Sequence, residues 1–346
     1  MPDLMQAVVK DKRAPGLTVT SVPKPVAGPG EVLIAVRHAG VCGTDLHIAD
    51  WDPWAQGRIH PPLVVGHEFA GEIVQVGDDV TGLAVGQIVT AEGHIVCRHC
   101  LQCRTGNGHI CKNTSIIGVD RDGAFAEFIA MPSGNVLPLQ GISTEIGAVM
   151  DPMGNAFHTV LTAEIPGSTV LIVGCGPIGC FGVGIARAAG AARVIASDVN
   201  PKRLALAARM GAHITLNAAS DDVVQAVAAE TGGEGADVVC EMSGVPQALH
   251  QAFRAARMGG RVQLLGIPKG EVPIDFANEI IFKGITVYGV IGRKMYETWH
   301  QMRRFLTAGL LDPRPVITHR FPLARIDDAL AAIRSGDAGK VILEIA

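Results

Sequence analysis

The chain has 346 residues, 48% of them apolar, with 42 glycines and a formal net charge of −4. That length suits two domains, each with its own core, and the composition excludes a disordered or fibrous chain. Lysine and arginine are dispersed with no basic run, so the electrostatic footprint of a nucleic-acid or anionic-membrane binder is missing and small-molecule chemistry is favoured.

The N-terminal stretch MPDLMQAVVKDKR lacks the apolar run and cleavage site of a secretory signal, and no window reaches the length of a membrane span. A cytoplasmic location is expected. Up to about residue 150, EVLIAVRHAG, GEIVQVG, QIVTAEG and AEFIAMP read as short strands broken by Gly and Pro, which predicts a β-rich lobe. From about residue 168 an apolar strand and an Ala-rich helix alternate: TVLIVGC, PIGCFGVGIARAAG, RVIASDV, PKRLALAARMG, ADVVCEMSG and RVQLLGI. This alternation predicts an α/β fold with a doubly wound parallel sheet of the Rossmann type. The tail, KMYETWHQMRRFLTAG followed by VITHRF and KVILEI, breaks the rhythm and is expected to return to the first lobe. The resulting division is 1–155 for the catalytic lobe, 156–294 for the dinucleotide-binding domain and 295–346 for the returning segment.

Four of the eight cysteines, Cys97, Cys100, Cys103 and Cys111, crowd one polar, glycine-bearing stretch. The spacing matches a tetrahedral all-thiolate zinc site, whose closed shell leaves no position for chemistry and therefore staples a loop. Cys175, Cys180 and Cys240 fall in apolar segments and read as buried thiols. Cys42 is left over.

Gly174, Gly176 and Gly179 form GxGxxG directly after the strand TVLIV, with Ile178 inside the motif, at the opening of an apolar helix. The glycines allow a tight turn and close approach of a pyrophosphate to free N–H groups at the helix start. Asp198 closes the next strand, where a carboxylate accepts from both ribose hydroxyls and repels a 2′-phosphate, so NAD is expected over NADP. Taken alone, Asp198 also reads as a strand end or helix cap. Arg203 follows in the next helix, placed to lie over adenine or ribose.

GVCGTDLH carries Cys42, Thr44 and His47, and GHEFAGEIVQVGDDV, from Gly66 to Val80, sets His67 beside Glu68. On these residues the chain resembles the zinc-containing medium-chain alcohol dehydrogenases. The resemblance covers essentially the whole chain, with the Cys42 segment, the Gly66 to Val80 signature, the four-cysteine lobe and the dinucleotide motif in the family's order. It implies a GroES-like first lobe and two zinc ions per subunit. Cys42 and His67 would be ligands of the reactive zinc and Glu68 a ligand that exchanges with water or substrate. Taken singly, Glu68 also reads as a partner standing behind the ligands. Thr44 and His47 resemble the family's proton relay through the cofactor ribose, although each alone reads as a turn residue and a surface histidine. Asp45 and Asp50 read as solvated or capping residues.

WDPWAQ, EGHIVC, DPMGNAFHTV and GRKMYETWH are similar to the L-threonine 3-dehydrogenase branch. This implies oxidation of the secondary hydroxyl of L-threonine by NAD to L-2-amino-3-ketobutyrate, with a polyol or vicinal diol dehydrogenase as the alternative. Asp151 then stands where the branch places an acidic residue near the reactive zinc. Some members carry Glu there, and the shorter Asp is read as a relay or supporting group. The resemblance also implies nicotinamide contacts from Leu265, Gly266, Ile267, Val290 and Ile291, and a homotetramer with only small-molecule partners. A rival of another class, a non-catalytic NAD-binding protein, is opposed by the intact set including Thr44 and His47. No residue is assigned to a substrate ammonium or carboxylate, and Trp51, Trp54 and Arg293 stay outside the catalytic set.

Overall fold

The computed structural model describes residues 3–345. They fall into two compact units, one running to Asp151 and resuming at Ile317, the other spanning Pro152–Val316.

In the first unit the strand Glu31–Val41 is the hub. Its apolar residues are buried on both faces, as expected of a strand covered on each side. One edge pairs antiparallel with Glu68–Val76. The other edge is shared, Phe128–Pro132 pairing with its first half and Lys340–Glu344 with its end. Ile317–Pro322 then pairs parallel with Lys340–Glu344, and Ile88–Ala91 and Val136–Pro138 complete the far side. A three-stranded sheet, Thr18–Pro23, Leu4–Lys10 and Leu63–Val64, carries its own small core of Met5, Ala7, Val9, Val64 and Ala126.

Two short helices leave the hub strand at its end. Cys42 and Asp45 form a reciprocal cap for the helix Gly43–Asp50, with the Cys42 Sγ accepting from the Thr44 N–H and the Asp45 carboxylate accepting from the Cys42 N–H at 2.9 Å. Trp51, in the left-handed conformation at φ 57, ends that helix. Asp52 and Pro53 then start the next, Pro53–Arg58, as a capping acceptor and an N-terminal proline should. These helices are absent from the sequence-based expectation, because eight and six residues are too few to establish a 3.6-residue period.

The second unit is a six-stranded parallel sheet in the order Ile214–Asn217, Arg193–Asp198, Thr169–Val173, Ala236–Glu241, Ala256–Leu264, Thr286–Gly289. In chain order this is 3-2-1-4-5-6, with the order reversing between the first and fourth strands, where open α/β sheets bind their ligands. The helix Glu297–Thr307, expected within a returning segment 295–346, lies in this second unit. Its buried Trp299 lies 5.4 Å from the Arg293 guanidinium, and Met302 packs beside Gly154. The chain re-enters the first unit only at Ile317. Among the described residues no helix is long and apolar enough to cross a membrane.

Candidate active site

At the end of the hub strand, Cys42 Sγ stands 3.2 Å from His67 Nε2. A thiolate and an imidazole bound to one zinc at about 2.3 and 2.0 Å in tetrahedral geometry are separated by about 3.5 Å, so the pair fits a shared metal. Asp45 belongs to the same cluster, its ligand atom within 4.8 Å of those of Cys42 and His67. It is fully buried, and its Oδ1 lies 3.9 Å from His67 Nδ1. The reading of Asp45 as a capping residue holds, and the reading as solvated does not. Burial pushes its carboxyl upward. Asp50, by contrast, is exposed and pairs with Arg334.

Glu68 follows His67 on the strand Glu68–Val76 and is buried with Lys340, whose Nζ lies 2.5 Å from Glu68 Oε2. A Cβ at Gly40 would collide with that carboxylate, so the hub strand makes room for it with a glycine. Asp151, in the first turn of the helix Met150–Leu161, clusters with Glu92 and His94, all three offering ligand atoms within 4.8 Å of one another. His94 Nδ1 donates to Glu92 Oε1 at 2.9 Å. The charge of Asp151 also bears on Glu68, helping burial to hold the Glu68 carboxyl above its ordinary range. Thr44 lies two residues beyond Cys42 in the first turn of the helix, its N–H 3.3 Å from the sulfur, and His47 is exposed in the last turn of the same helix.

The four cysteines Cys97, Cys100, Cys103 and Cys111 offer their sulfurs within 4.8 Å of one another, and none forms a disulfide. Cys111 Sγ lies 3.5 Å from Cys97 Sγ and 3.8 Å from Cys100 Sγ. A tetrahedral shell with bonds of about 2.3 Å sets its sulfurs about 3.8 Å apart, so this cluster also fits zinc. Backbone N–H groups of His99 and Cys100 draw the Cys97 thiol down to about 6, toward the thiolate a metal requires.

In the second unit Gly174 adopts φ +90, a left-handed conformation that disfavours a side chain, and a Cβ at Gly179 would fall on the Gly174 carbonyl. Gly176 faces open space and caps the helix Pro177–Ala188 without a side chain, leaving N–H groups free for a pyrophosphate. Ile178 is half-buried in the first turn. A cavity of about 300 Å³ beside them is lined by Gly174, Gly176, Asp198, Arg203, Met242 and Ser243. The Asp198 oxygens accept from the Cys175 N–H at 2.7 Å and the Asn200 N–H at 2.8 Å, which fixes the carboxylate while each oxygen keeps a second lone pair. Leu265 and Gly266 donate to the Glu241 carbonyl, Val290 donates to Leu264, and Ile267 and Ile291 are exposed. Cys175, Cys180 and Cys240 are buried.

Sequence reasoning missed Lys340, Glu92 and His94 as site residues. Glu92 and His94 sit in EGHIVC, where alternation alone marks a strand, and nothing in KVILEI signals a partner for Glu68.

Together, a β-rich unit with two zinc-ligand clusters and a parallel-sheet unit with a glycine turn define a zinc-binding oxidoreductase. The alcohol dehydrogenase GroES-like domain family matches residues 28–141, and the zinc-binding dehydrogenase family matches residues 177–308. The chain belongs to the zinc-dependent medium-chain alcohol dehydrogenases. It is 49% identical to an L-threonine 3-dehydrogenase of Bacillus licheniformis and 47% identical to one of Symbiobacterium thermophilum, covering 98% of each of those chains. Among solved structures, 2R,3R-butanediol dehydrogenase of Bacillus subtilis superposes with a TM-score of 0.89 at 28% identity, over 99% of this chain and 100% of that one.

Proposed function

We propose that the chain oxidises the secondary hydroxyl of L-threonine with NAD to L-2-amino-3-ketobutyrate. The observation that carries this reading is near-half identity, over almost the whole chain, to proteins of that activity, far above the 28% shared with the butanediol enzyme. The Cys42–His67 contact supports the chemistry.

In this reading Cys42 and His67 hold the reactive zinc, with Glu68 as an exchangeable ligand whose carboxylate rests on Lys340. Asp151 supports them from the Glu92–His94 cluster. Cys97, Cys100, Cys103 and Cys111 hold the structural zinc. Zinc supplies Lewis acidity that eases loss of the hydroxyl proton, and NAD supplies the hydride acceptor. Thr44, beside Cys42, receives the substrate proton, and exposed His47 passes it to solvent. Gly174, Gly176, Ile178 and Gly179 admit the pyrophosphate, Asp198 and Arg203 the adenosine, and Leu265, Gly266, Ile267, Val290 and Ile291 the nicotinamide. The Asp198 carboxylate favours NAD over a 2′-phosphorylated dinucleotide. A homotetramer in the cytoplasm completes the proposal.

The test is NADH formation by the zinc-loaded protein with L-threonine beside D-threonine, L-serine, sorbitol, xylitol and 2,3-butanediol. Clear preference for L-threonine is expected. Preference for a polyol or the diol would keep the zinc chemistry and overturn the substrate.

A further inference from the structure

We infer that Asp52 is a positioning residue for His47, holding the imidazole in the tautomer that takes up a proton at Nε2. The inference rests on the relay role proposed above for His47.

The left-handed Trp51 turns the chain sharply between the helices Gly43–Asp50 and Pro53–Arg58, and this brings Asp52 back against His47. Asp52 Oδ2 lies 2.6 Å from His47 Nδ1. Asp52 Oδ1 accepts from the Ala55 N–H at 3.0 Å, so the carboxylate cannot swing away without uncapping the second helix. Trp54, in that helix, meets the imidazole edge-on with ring centroids 6.0 Å apart. An ionised carboxylate only accepts hydrogen bonds, so Nδ1 carries the hydrogen and Nε2 presents its lone pair.

The other charged groups on and around these helices are engaged elsewhere. Asp50 pairs with Arg334, Arg58 with Asp120, and Asp11 with Lys12. Lys10 donates to the Gly16 carbonyl beneath the Trp51 ring, and buried Asp45 holds the Cys42 N–H. The His47 and Asp52 side chains are 52% and 31% exposed, and a pair so wet contributes little to stability. What it does set is ring orientation and the site of proton uptake.

Asp52→Asn retains an acceptor for the Ala55 N–H, and Asp52→Ser retains a capping oxygen, while both remove the carboxylate. In each holoenzyme variant kcat is expected to fall roughly tenfold, as for other groups that orient a functional imidazole. Affinity for NAD and melting temperature should stay at the parent values. The 15N shifts of the neutral His47 ring should report the Nδ1–H tautomer in the parent protein and lose that preference in both variants. Introduced into His47→Asn, neither substitution should lower kcat further. Unchanged kcat and ring tautomer in both variants, or a full tenfold loss persisting without His47, would overturn the inference. If His47→Asn alone leaves kcat unaltered, the relay assignment itself is what has failed.

Discussion

Lys340 and Glu68 face each other with both side chains almost fully buried. Removing one member of such a pair leaves a charge without water or partner, which costs about 3–5 kcal/mol, whereas removing both costs far less. Urea unfolding should therefore show Lys340→Met strongly destabilised and the double variant Lys340→Met, Glu68→Gln partly restored. Simple additivity of the two single losses would show that the pair is not coupled. Asp198 poses a different question, because one of its oxygens already braces the glycine turn through Cys175 and the other accepts from Asn200 just beyond its own strand. Asp198→Ala should weaken NAD binding while improving the relative use of NADP, measured as the ratio of kcat/KM values. Unchanged affinity for NAD would remove Asp198 from the ribose site.

At the scale of elements, the four-cysteine loop has little regular structure of its own, only the short helices Leu101–Arg104 and Gly108–Ile110. None of their residues is fully buried, so packing alone contributes little order to the segment and metal ligation has to supply the rest. Cys111→Ser should lower the zinc content by one ion per chain and make this loop the first site of proteolysis, with the Cys42–His67 pair still loaded. Loss of both ions together would show that the two sites do not fill independently. The loop was legible in the sequence because its ligands are near neighbours along the chain. The glycine turn was legible for the same reason, its strand, turn and helix running consecutively. The helices Gly43–Asp50 and Pro53–Arg58 were not, since their caps, rather than any apolar period, define them.

Across the whole molecule, both units carry a half-buried histidine that folding keeps neutral. Burial holds His38 below the usual imidazole range in the first unit, where its Nδ1 lies 2.8 Å from the Thr144 hydroxyl. Burial does the same for His158 in the second unit, where Nδ1 donates to the Gly292 carbonyl at 3.0 Å. Well above the unperturbed imidazole pKa of about 6.5 both rings are neutral folded and unfolded, and they add no pH dependence. As pH falls below that value the unfolded chain binds the protons first, so stability declines until the lower folded pKa is passed. The melting temperature should thus drop on acidification from about pH 7 to 5, and His158→Gln should flatten the slope. An identical slope in that variant would show that His158 titrates alike in both states.

The sequence by itself determined what short stretches of chain decide: the four-thiolate cluster, the glycine turn with Asp198 after it, the parallel alternation and the adjacency of His67 and Glu68. These follow from local spacing, because turn geometry, helix capping and metal chelation act over a few residues. Only the tertiary structure decided that Lys340 from the last strand neutralises Glu68, that Asp45 is buried beneath His67, and that Glu92 and His94 gather around Asp151. It also decided that the tail helix Glu297–Thr307 stays with the second unit while Ile317–Pro322 and Lys340–Glu344 extend the first unit's sheet. Such pairings join residues far apart in the chain, and they are chosen by which apolar faces and which buried charges find partners when the core closes.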